Sequence, residues 1–219
     1  MDGRDWPGGT RTPLPALPAL PPNTWYSGED GSGRVRVEID DAARGVAVVV
    51  EDGWRTAPTA EGLAGAVLEA FSAAINARLT AWAASPPADL ATDEQARPPA
   101  APATDVTLTS LSRAWRDLRE FQHRLTTLHA ATETVPGPGR PAVATIAGGQ
   151  LVRLDLDPEW LRTATAQDLE RHIAHALRAA LDRIATLPER ALEGCPDLQS
   201  LLSTTGFSPF GPRLRERNT

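Results

Sequence analysis

Between residues 34 and 51 polar and apolar positions alternate. RVRVEID (34–40), the turn DDAARG and the apolar run VAVVVE (46–51) together predict an antiparallel hairpin. The same order returns as AVATI (142–146), the turn AGGQ and LVRLDLD (151–157). Each hairpin is followed by a tryptophan, Trp54 or Trp160, and then by a threonine at a helix N-cap position, Thr59 or Thr165. Thr165 has Asp168 three residues on, the spacing of a capping box. Apolar residues then recur every three or four positions: Leu63, Val67, Phe71, Ile75, Leu79 and Trp82 in the first stretch, and Leu169, Ile173, Leu177, Leu181 and Ile184 in the second. Each set draws one apolar stripe on a helix, fit to lie on a sheet.

These two stretches form an internal repeat. A shift of 106 residues aligns 31–78 with 137–184 without a gap and leaves twelve identical pairs. Five fall in the strand region: Gly31/Gly137, Gly33/Gly139, Arg34/Arg140, Val37/Val143 and Val46/Val152. Seven fall later: Trp54/Trp160, Thr59/Thr165, Ala60/Ala166, Leu63/Leu169, Ala70/Ala176, Ala73/Ala179 and Ala74/Ala180. The expected fold is α+β, built from two β-hairpin-plus-helix units at 32–83 and 107–187, with Trp54 and Trp160 buried at equivalent corners.

The second unit has an additional helix. Leu108, Leu111, Trp115, Leu118, Phe121, Leu125 and Leu128 place one apolar face on residues 107–131, and Leu111, Leu118 and Leu125 recur every seven. That seam is expected to pack on the alanine-rich helices of the same chain or to pair two molecules as a homodimer. Arg113, Arg116, Arg119 and Arg124 point away from it, with Asp117 and Glu120 between them. Three segments carry prolines instead of periodicity. Residues 1–31, with PLPALPALPP at 13–22, read as a flexible arm able to offer a polyproline ligand to a protein partner. Residues 84–106 read as an acidic linker, and 188–219 as a loose tail.

Composition narrows the chemistry. Cys195 is the single cysteine, which excludes an internal disulfide and cysteine-based zinc or iron–sulfur sites. All 22 cations are arginine and the net charge is −6, so any contact with nucleic acid has to come from a local arginine cluster. The apolar runs are too short for a membrane span and the start lacks a secretory h-region, so a cytoplasmic location without membrane contact is expected. His172 and His175 are three apart on a helix but lack a visible third metal ligand, and they read as a solvated face. Asp155 and Asp157 read as the polar side of a strand and its corner. Gly148, Gly149 and Gln150 read as a hairpin turn. No phosphate loop, nucleophile elbow or paired-carboxylate arrangement is found, so neither an enzyme nor a cofactor is expected. Tyr26 and Asp30 form a Tyr-x-x-x-Asp string that resembles the export signal of type VII secretion substrates.

The stretch LDLDPEWLRTATAQDLERHIAHALRAALDRI (154–184), with Asp157, Pro158 and Leu161 at its corner, resembles the YbaB/EbfC family of bacterial nucleoid-associated proteins. The helix at 107–131 fits that family's first helix, and VVVEDGWRTAPTAEGLAGAVLEAFSAAINAR (48–78) repeats the layout. The resemblance implies a non-enzymatic protein whose two halves form an intrachain pseudo-dimer. It also implies weak, non-specific DNA binding through Arg113, Arg116, Arg119 and Arg124 of the first helix and Arg171 and Arg178 of the last, with a nucleoid location. The alternative expectation is a protein–protein interaction module, linked to type VII secretion, that has lost DNA binding.

Overall fold

The alternating stretches form three-stranded meanders rather than hairpins. In the computed structural model, which describes residues 20–56, 59–85 and 108–204, the first sheet runs β1 (Trp25–Glu29), β2 (Val35–Asp40) and β3 (Val46–Val50), all antiparallel in that order. A single 3₁₀ turn, Asp52–Thr56, leads to α1 (Ala60–Ala84). Then come α2 (Leu108–Ala130) and a second antiparallel sheet of β4 (Thr132–Pro136), β5 (Ala142–Ala147) and β6 (Gln150–Leu156). The short α3 (Pro158–Leu161), α4 (Ala166–Ala185), α5 (Leu187–Leu192) and α6 (Pro196–Thr204) complete the described chain.

The α+β class stands, but two boundaries move. The segment assigned to a flexible arm contains β1, because WYSGE alternates exposed and buried positions and pairs along β2. The segment assigned to a loose tail contains α5 and α6. The proline stretch up to residue 19, the linker from residue 86 to 107 and the tail beyond 204 lie outside the described residues.

The repeat is real in space, but its register differs from the gapless alignment. The buried side chains of β2 are Val35, Val37 and Ile39, whereas those of β5 are Ala142, Ala144 and Ile146, a shift of one relative to 106. Side chains alternate faces along a strand, so one residue of slip exchanges inside and outside. Val37 is accordingly buried, and Val143 is not. The turns agree with the shifted pairing. The Gly33 N–H donates to the Asp30 carbonyl as that of Arg140 does to Gly137, and the Asp30 N–H donates to Val35 as that of Gly137 does to Ala142. The β5–β6 turn is two residues shorter than the β2–β3 turn, with four residues between Ile146 and Leu151 against six between Ile39 and Val46, and a bulge in β6 gives one residue back. Thr145 pairs with Arg153 and Ile146 with Leu151, leaving Val152 unpaired and exposed. From Trp54 and Trp160 onward the shift of 106 holds. Thr59 and Thr165 cap α1 and α4, and the full capping box forms at Thr165.

One core joins the halves. It runs from Val35, Val37 and Ile39 through Val67 and Phe71 to Leu154, Leu169, Ile173 and Leu177. α1 lies on β1 and β2 of its own sheet and also reaches β6; α4 lies on β4 and β5 and also reaches β3. Trp54 is buried at this junction, with the Arg55 guanidinium 4.6 Å over its ring. Trp160 is only half-buried, its indole meeting His172 edge-on at 5.4 Å. The expected burial therefore holds at one corner and is partial at the other. At the end of the α1 stripe Leu79 and Trp82 are exposed, while Ala81 still packs against the core.

Polar contacts fasten the crossing. The Val50 N–H donates to Glu170 at 3.0 Å, Arg178 donates to the Val46 carbonyl at 3.0 Å, and Arg55 donates to the Ala164 carbonyl at 2.7 Å. Glu170 and Arg178 are about 12 Å apart along a helix, and Val46 and Val50 about 13 Å apart along a strand. α4 thus follows the outer edge of β3 in the opposite direction and supplies hydrogen-bond partners that a free edge lacks. At the matching α1 positions, Ala64 and Ser72 carry neither a carboxylate nor a guanidinium, and the edge strand β6 carries the bulge instead.

Two aspartates close the turns of the first sheet. Asp30 accepts from the Val35 and Ser32 N–H groups at 2.8 and 3.1 Å, and Asp40 accepts from those of Arg44 and Gly45, both at 2.7 Å. In the second sheet glycine does this work, with φ of 63° and 71° at Gly148 and Gly149 in a two-residue turn.

Two outcomes follow. A Cβ on Gly28 would lie 2.2 Å from the Ala74 backbone nitrogen, because β1 and α1 touch backbone to backbone, whereas Gly65 faces open space. Gly28→Ala should cost about 3 kcal/mol by overpacking, and Gly65→Ala should gain about 0.5–1 kcal/mol from helix propensity; urea melts of both check this. Burial opposes ionisation of Asp30, but hydrogen bonds from the Ser32 hydroxyl and from the Val35, Ser32 and Arg34 N–H groups outweigh it and hold its pKa below the ordinary value. A carboxylate lowered on folding stabilises above its unfolded pKa of about 4 and loses that contribution as pH falls through the folded value. Asp30→Ala should therefore cost about 1–3 kcal/mol at pH 7, and the gap to the native chain should close on acidification below about pH 4.

Candidate nucleic-acid interface

The extra helix finds its partner in the chain's own C-terminal segment. α2 lies against α5 and α6, burying Ala114 and half-burying Leu118, Phe121, Leu125 and Leu128. The side chains of Leu108 and Leu111 lie outside the described ones. Trp115, assigned by periodicity to the same apolar face, is instead 63% exposed. Cys195, where α5 gives way to α6, is fully buried, and burial followed by the nearby Asp117 charge raises its thiol pKa.

This packing sorts the charges of α2. Asp117 accepts the N–H groups of Asp197 and Leu198 at 2.8 and 3.1 Å, so its carboxylate closes the N-terminus of α6. Glu120 pairs with Arg124 at 2.7 Å, and the Arg124 guanidinium lies against Gly194, in space that a Cβ there would occupy. Both acids among the arginines are thus engaged. Arg113, Arg116 and Arg119 are exposed and, among the described residues, make no ion pair or hydrogen bond. They span about 9 Å of helix. Ser112, Trp115, Arg116, Arg119 and Glu120 line a shallow concavity on this side.

The other candidate arginines are placed differently. Arg178 gives its guanidinium to the Val46 carbonyl, and Arg171 pairs with Asp168 at 2.7 Å. Arg124 is held as described. Of the six arginines expected to meet DNA, three form one open cluster. The signal that Trp115 belongs with them was local: it sits at the rim of the stripe, four residues before Arg119, a spacing that puts the two on one helix side.

The remaining motifs are absorbed by the fold. His172 contacts Trp160, His175 is exposed, and no group of three or more candidate ligands meets among the described residues. Asp155 pairs with Arg153 at 2.6 Å, and Asp157 caps α3 through the Glu159 N–H at 2.8 Å. Tyr26 is buried in the core and Asp30 in its turn, so structure accounts for both ends of the Tyr-x-x-x-Asp string. A cleft between Trp54, Thr59, Leu63, Pro158 and Leu161 is flanked by Arg55 and Arg162, which are engaged with Ala164 and Glu159. No described helix is long and apolar enough to cross a membrane. Comparison of the chain with protein-family models, with curated proteins and with solved structures finds no match in any of the three.

Proposed function

We propose that this chain is a tandem YbaB/EbfC-like protein, its halves standing in for two subunits, that binds DNA weakly and without sequence preference through α2. The observation that carries the reading is the open cluster of Arg113, Arg116 and Arg119, whose intervening acids are already engaged by α6 and Arg124. Guanidinium forks grip phosphate oxygens well, and a local cation cluster can act even where the net charge is −6. A long helix before the strands and an amphipathic helix after them in the second half, with only the latter among the described residues of the first half, support the family reading. The reciprocal docking of α1 on β6 and α4 on β3 supports the pseudo-dimer. A protein-interaction role retains the proline arm as its ground, since Tyr26 and Asp30 serve the fold.

Binding of a duplex in a mobility-shift series tests the reading. Three phosphate contacts give a slope of log affinity against log salt of roughly −3. Replacing Arg113, Arg116 and Arg119 together by alanine should flatten the slope and remove most of the affinity, with thermal melting unchanged. Arg178→Ala should destabilise the fold without a specific effect on the slope. No shift at low salt with micromolar protein overturns the DNA reading.

A further inference from the structure

Trp115 is the most exposed large apolar side chain of the described residues, and its position beside the open arginines is not explained by packing or by phosphate contacts alone. An indole at a protein surface offers a flat π-face. In duplex DNA the faces of the bases are covered by their neighbours, so the indole has nothing to stack on there; in a single strand every base presents a face. Ser112, Trp115 and Arg119 follow at intervals of three and four, placing them on one side of α2, and with Arg116 and Glu120 they line one concavity. Glu120 is held by Arg124, which leaves Arg116 and Arg119 as the unpaired charges at its rim. A stacking platform flanked by cations suits unpaired nucleotides, whose phosphates meet the guanidinium groups while a base covers the indole.

We infer that the α2 face prefers single-stranded nucleic acid, with Trp115 as the base-stacking residue and Arg116 and Arg119 as its phosphate contacts. This rests on the nucleic-acid reading of α2 and adds to it a preference among nucleic acids.

Fluorescence anisotropy of the full chain with labelled oligothymidylate, with a duplex of equal length and with polyglutamate as a competitor tests it. The native chain should bind oligothymidylate more tightly than duplex. Trp115→Ala should weaken oligothymidylate binding about tenfold and leave duplex binding unchanged, and Trp115→Phe should retain most of the affinity. Because Trp115 is exposed, both variants should melt like the native chain. Duplex bound as well as oligothymidylate, with Trp115→Ala silent on both, overturns the inference and leaves the DNA reading standing. Binding to neither overturns both. Polyglutamate competing as strongly as the oligonucleotide, with Trp115→Ala silent, overturns both in favour of an acidic protein partner.

Discussion

Everything in this fold depends on the exchange of helices between the two repeats. A unit of three strands and one helix is near the lower limit at which a chain buries enough apolar surface to fold alone. Here each unit also uses the other's helix: α4 reaches β3 and α1 reaches β6, so that Val46, Val48 and Val50 share one core with Leu169, Ile173 and Leu177. The exchange also covers the vulnerable side of β3. An edge strand exposes unpaired N–H and C=O groups, and Glu170 and Arg178 engage those at Val50 and Val46. The two repeats solve the same problem by different means, a pair of charged side chains on one edge and a bulge on the other.

Local patterns were legible where a local rule produced them. Thr59 and Thr165 act as caps because a hydroxyl ahead of an apolar stripe satisfies free N–H groups wherever the helix lies. Gly148 and Gly149 turn because a two-residue hairpin loop needs positive φ. The strand register was not legible from identity. The matches at Val37/Val143 and Val46/Val152 follow a gapless alignment, whereas the structure makes up its one-residue difference by a β5–β6 turn two residues shorter and the Val152 bulge that returns one. Burial alternation would have revealed the slip, since Val35, Val37 and Ile39 match Ala142, Ala144 and Ile146 in kind only after shifting by one. β1 escaped notice because WYSGE is short, contains a glycine and follows prolines. That glycine is what lets the strand approach α1.

The arginine cluster illustrates a different limit. Counting charges along α2 gives four arginines against two acids and suggests a speckled surface. Which cations remain open depends on Asp117 reaching residues 80 positions away at the start of α6, and on Arg124 lying over Gly194. Neither contact has a signature in the helical period. The C-terminal segment, rich in turn-forming residues near Pro188, Gly194 and Pro196, looked like a tail and instead determines the electrostatics of the helix before it.

The distance in sequence between Val50 and Glu170 has a consequence for how the chain is made. These residues are 120 positions apart, and a ribosome adds residues at about 5–20 per second. For several seconds the nascent first half lacks the helix that covers β3, which leaves its apolar row and backbone edge open to other nascent chains. The late-emerging α4 is therefore a stopper as much as a core helix. Any event that ends synthesis between the repeats releases a fragment whose β3 edge lacks its cover.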